Sequence, residues 1–108
     1  MNPQSVYERL VTVGTDWAEK EHAANLLEGT LKSVKAKIAI QHKDCGMSVA
    51  ESELRAEADY EYQQHREMAA NARAEALKAK VVYHAAQAYI DAWRTEQATE
   101  RAINRLQT

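Results

Sequence analysis

The stretch KDCGMSVAE, residues 43–51, decides how the chain is read. Ser48 followed by Glu51 has capping-box spacing, in which each side chain satisfies a backbone N–H left unpaired in the first turn of a helix. Gly46 just ahead of it is one of the chain's few helix breakers. The spacing therefore predicts a sharp turn over 44–48 with a helix ending before it and another beginning at about Val49.

Working outward, breakers are scarce. Pro3, Gly14, Gly29 and Gly46 are the only glycines and proline in 108 residues. Asn2 before Pro3 is a cap followed by a first-turn proline, so the first helix is expected over about 3–43. Along it Val6, Leu10, Val13, Trp17, Ala24, Leu27, Leu31, Val34 and Ile38 recur every three or four residues, with Lys20 the one polar interruption. That is a coiled-coil-like seam. Gly14 is a candidate bend. From Met47 to Thr108 the filling is Ala, Glu, Arg, Lys, Gln and Leu, which are good helix formers. A second long helix is expected over about 49–106, with any break near 88–97.

The second helix carries two apolar stripes. Tyr62, Ala69, Ala76, Tyr83 and Ile90 share one seam position, and His65, Ala72, Ala79, Ala86 and Trp93 share its companion. Ala70, Leu77 and His84, with Ala74, Val81 and Ala88, lie nearly opposite. A helix apolar on opposite sides is normally packed on both. At 1.5 Å per residue the first helix is roughly 60 Å long and the second roughly 90 Å. Folded back, the first runs out opposite about residue 88 and leaves Ile90, Trp93, Ile103 and Leu106 uncovered. Either the tail folds back as a third helix or another copy covers it. The fold class expected is a single all-α domain, a long antiparallel hairpin assembling as a dimeric four-helix arrangement. Its oligomer interface is expected at Ala69, Ala72, Ala76, Ala79, Tyr83, Ala86, Ile90 and Trp93.

Composition narrows the function classes. The chain carries a net charge of −2 and 45% apolar residues, 20 of them alanine, with no Phe. There is no global attraction to nucleic acid or to an anionic membrane. Cys45 is the only cysteine, which leaves no internal disulfide and argues against an oxidising compartment. The start MNPQSVYERL lacks the basic and apolar regions of a signal peptide, and no apolar run approaches the roughly 20 residues that span a bilayer. A cytoplasmic location is expected, the host cytoplasm if the gene is a phage one.

Three constellations are candidates for recognition. Arg73, Lys80 and Arg94 lie along one side of the second helix, and Arg101 and Arg105 extend that character. Such a row suits phosphates, with Trp93 available for base stacking. Lys32, Lys35, Lys37 and Lys43 make the end of the first helix basic, whereas residues 44–67 carry seven acids against Arg55 and Arg66. Pairing across the hairpin accounts for that asymmetry. The alternative is that Glu53, Glu57 and Glu61 form an acidic face imitating a nucleic-acid backbone. Glu19–His22 and Glu61–His65 have ligand-like spacings without the further ligands a metal site needs. No metal or other cofactor is expected. Nucleotide-binding and nucleophile motifs are missing, so no catalytic residues are expected and the chain is read as no enzyme.

The segments LVTVGTDWAEKEHAANLLEGTLKSVKAKI (10–38), MSVAESELRAEADYEYQQHREM (47–68) and AYIDAWRTEQATERAINRL (88–106) together resemble small helical proteins encoded by tailed bacteriophages and prophages near single-strand annealing and replication genes. Trp17, Glu21, Lys32, Ser48, Ala50, Glu51, Trp93, Arg94 and Arg101 carry the likeness. The resemblance implies a phage accessory factor in DNA recombination or replication, acting through oligomerisation and contact with a recombination protein, single-stranded DNA or both. The rival expectations are an anti-defence inhibitor of a host nuclease or RNA-guided effector (an anti-CRISPR) and a structural helical adaptor.

Overall fold

The computed structural model describes residues 2–107, which form three helices: α1 (Pro3–Asp44), α2 (Val49–Ala58) and α3 (Tyr60–Gln107). Asn2 opens α1, its side chain accepting from the Gln4 N–H at 2.9 Å, with Pro3 at the first helical position. At the far end the Met47 N–H donates to the His42 carbonyl at 3.3 Å and the Gly46 N–H to Lys43 at 3.0 Å. This pairing is a Schellman stop, which places its C′ residue in the left-handed region. Gly46 occupies that position with φ +93. Ser48 then caps α2, its hydroxyl accepting from the Glu51 N–H at 3.2 Å. The turn falls where the sequence places it.

The second arm differs from expectation. It is two helices, divided at Asp59, and it runs without interruption through 88–97. Asp59 sits at φ −68, ψ 138, outside the helical region. Its carboxylate accepts from the Glu61 N–H at 2.9 Å and its carbonyl from the Gln63 N–H at 3.0 Å. A short polar side chain that bonds its own backbone competes with the helix and starts a new one. By contrast 88–97 contains neither glycine nor proline, and the helix continues. The tail does not fold back as a third layer.

The core is a thin seam between α1 and the other two helices. Val13, Ala24 and Ile38 are buried on α1, Ala56 on α2, and Ala69, Ala76, Ala79 and Ile90 on α3. Larger residues of α1, such as Trp17, Leu27, Leu31 and Val34, are half-buried against this alanine-rich face. Small residues let the two backbones approach closely. α1 runs uninterrupted through Gly14. The glycine makes room, since a Cβ there would lie 3.3 Å from the Tyr83 ring.

This arrangement corrects the expected oligomer interface. Ala69, Ala72, Ala76, Ala79, Tyr83, Ala86, Ile90 and Trp93 are all buried or half-buried within one chain, and α1 is the helix that covers this stripe. The opposite stripe, Ala70, Ala74, Leu77, Val81, His84 and Ala88, is exposed throughout. The chain measures 87 × 21 × 14 Å. Val6 of α1 lines one groove with Ala86 and Ile90 of α3, so α1 begins near there and α3 continues beyond it, with every residue from 98 to 107 exposed.

Candidate functional site

The side chains singled out from the sequence separate into three groups once α1 and α3 are paired. Arg73 leaves the expected phosphate-binding row. Its Nε and Nη2 donate to both oxygens of Glu28 at 2.7 and 3.0 Å, its Nη1 to Glu21 at 2.8 Å, and its Nη2 also to Asn25 at 2.7 Å. Glu21, Asn25 and Glu28 rise one turn apart on α1, so the planar guanidinium spans them and latches the two helices. The hydrogen bond from Arg73 holds the Glu28 carboxyl below its ordinary value of 4.5, and the two carboxylates raise the pKa of Arg73.

That latch has a pH signature. Glu28 titrates lower in the folded chain than in the unfolded one, so its contribution is present above 4.5 and is lost as pH falls through the depressed value. Glu57, held low by Lys35, acts in the same direction. The thermal midpoint is expected to drop below pH 4.5, and Arg73→Met is expected to lower it at pH 7 while narrowing the difference between pH 7 and pH 3. Circular dichroism melts of the two proteins at both pH values measure this.

Lys80 is also directed toward α1, its Nζ lying 6.0 Å from the centre of the Trp17 ring. Trp17 packs at 5.3 Å from Tyr83 and 5.6 Å from His84. His84 is exposed at the margin of this cluster. Of the expected row, Arg94, Arg101 and Arg105 remain together on the exposed end of α3, with Trp93 half-buried beside them. The basic strip is therefore short and lies wholly beyond the hairpin's paired region.

The acidic face is also divided. Glu53 and Glu57 belong to α2, Glu61 to α3, and the Asp59 break lies between them. Glu57 accepts from Lys35 at 2.8 Å, the cross-hairpin pairing that the charge asymmetry suggested. Glu53 and Glu61 are exposed. Among the described residues no group of three or more His, Cys, Asp or Glu is placed to hold a metal ion, and no helix is long and apolar enough to cross a membrane.

What the structure brings together instead is contact surface. Leu77, Val81, Val82 and Tyr89 are each about half exposed or more along α3. Near the start of α1, Val82 and Tyr89 line an open apolar groove of about 490 Å³ together with Ser5, Val6, Arg9, Ala85, Ala86 and Ile90. Sequence reasoning missed this groove because it needs the register between α1 and α3, which no spacing within either helix reveals. Comparison with protein-family models, with curated proteins and with solved structures finds no match to this chain.

Proposed function

We propose that the chain is a non-enzymatic helical interaction protein, accessory to DNA recombination or replication in a phage setting, and that it works by self-assembly and by docking another protein on the exposed flank of α3. The observation that carries this reading is the extent of uncovered apolar surface opposite the seam. Leu77 and Val81 are 53% and 67% exposed on a stripe that continues through Ala70, Ala74 and Ala88. Contiguous apolar patches of this kind mark interaction sites on soluble proteins. The phage and DNA setting is supported by the sequence resemblance. Direct contact with single-stranded DNA would fall to Arg94 and Arg101, because Arg73 is engaged by α1.

The test pairs the purified chain with a purified phage single-strand annealing protein, by calorimetry, and separately with labelled single-stranded DNA at low and moderate salt. The reading expects binding to the annealing protein that is lost in Leu77→Glu/Val81→Glu, with helicity unchanged. Absence of binding to both the annealing protein and the DNA would remove the DNA-metabolism role.

A further inference from the structure

We infer that the free end of α3 is a docking arm for the groove of a second copy, so that two chains clasp each other reciprocally. The inference deepens the self-assembly in the functional reading and does not depend on its DNA setting. Three observations meet at this end of the molecule.

The first is an arm whose residues 98 to 107 are all exposed. Val6 and Ile90 line the same groove, so α3 outruns α1 by about 14 residues, roughly 21 Å at 1.5 Å per residue. On that arm Ile103 and Leu106 are 48% and 88% exposed. The second is a place for it to go, the apolar groove floored by Val6, Ala86 and Ile90 and walled by Val82 and Tyr89.

The third is register. Val82, Ala85 and Tyr89 on the groove side, Ala92 and Glu96 between, and Thr99, Ile103 and Leu106 on the arm continue one three-and-four spacing along α3, with Glu96 its one charged position. An antiparallel pair of α3 helices related by a two-fold axis near residue 94 sets Leu106 against Val82, Ile103 against Ala85 and Thr99 against Tyr89 of the other chain. The alignment places a large side chain opposite a smaller one at the first two layers, as interdigitating helices require. Residues flanking this face, Val81, Ala88, Thr95 and Ala102, are small or uncharged and permit close approach.

Charge agrees with the same alignment. Arg9 stands exposed at the groove edge and Glu100 is exposed on the arm. Neither has an ion-pair partner among the described residues. In the paired arrangement Glu100 of one chain falls opposite residue 88 of the other, beside its Arg9. A single contact made twice by two-fold symmetry closes the assembly at two chains and leaves no free groove for a third. Val81 borders the clasp, whereas Leu77 lies beyond the end of the other chain's arm and stays available to a different protein.

Light scattering on the full chain is expected to give twice 12.2 kDa, and Ile103→Glu is expected to give a single chain of unchanged helicity. Arg9→Glu is expected to weaken the dimer at least tenfold, and Arg9→Glu with Glu100→Arg to restore it. In a Cys45→Ser background, a mixture of Ala85→Cys and Ile103→Cys chains is expected to form the mixed disulfide in preference to either like pair. A single-chain mass for the unaltered protein, a dimer indifferent to Ile103→Glu, or preferential Ala85→Cys self-linking would each overturn the clasp. A single-chain mass would also remove the self-assembly half of the functional reading, whereas a dimer indifferent to Ile103→Glu would remove only the clasp, and docking at Leu77 is untouched by either.

Discussion

Replacing Ala76 with Glu is expected to cost about 3–5 kcal/mol, the penalty of an unpaired charge forced into a site that excludes water. Ala76 has no exposed surface, and it lies midway along the seam between α1 and α3. A carboxylate there is shut off from solvent, and the nearest cations along the helix are already occupied, Arg73 by Glu21 and Glu28 and Lys80 over the Trp17 ring. Domains are typically stable by only about 0.05–0.15 kcal/mol per residue, and this one has a core one seam deep. Urea unfolding followed by far-ultraviolet circular dichroism should show most of the helix lost at a much lower midpoint. Leu77→Glu is the internal control. One position further on, that residue is exposed, and the change is expected to stay within about 0.5 kcal/mol. Equal sensitivity at 76 and 77 would mean that α3 is rotated from the orientation described.

Ile90→Ala is expected to cost about 2–3 kcal/mol, the lower part of the range for removing a large aliphatic side chain from a core. Ile90 is 5% exposed and closes the seam where α1 begins. Its surroundings are open on the groove side, so the cavity left behind relaxes more than one enclosed on every side, and the penalty is moderated. Ile103→Ala, three turns of helix beyond and exposed, is expected to leave the stability of the single chain almost unchanged. Urea midpoints measured at a protein concentration low enough for single chains compare the two. A loss below about 1 kcal/mol at Ile90 would mean that α1 does not reach this part of α3.

The hairpin is legible from particular residues. Ser48 and Gly46 announce the turn because their roles are local, one capping α2 and the other supplying the left-handed stop of α1. The seam is legible because burial on a helix repeats every three or four residues, and each α3 position named from that repeat is buried or half-buried. The break at Asp59 was hidden by its setting. Within an acid-rich stretch an aspartate reads as one more solvated charge, and its capping role shows only in the bond to the Glu61 N–H. Arg73 was misread for a related reason. Its spacing from Lys80 and Arg94 is a property of α3 alone, whereas its partners Glu21 and Glu28 lie more than 40 positions away and meet it only after the chain folds. The buried alanine stripe was identified as contact surface but given to another copy, because two opposite stripes on one helix carry no mark of which faces the nearer arm.

The central claim is that α1 folds back along α3 within one chain, leaving the end of α3 and its outer flank uncovered. A distance measurement on spin labels at Glu8→Cys and Asp91→Cys tests it most directly, in a Cys45→Ser chain diluted into a large excess of unlabelled protein. The hairpin predicts neighbouring helices, whose axes lie about 8–10 Å apart, and hence a single short label separation. An opened chain exchanging its arms with another copy would separate the same two labels by roughly 120 Å of helix at 1.5 Å per residue. The absence of any short distance would contradict the account.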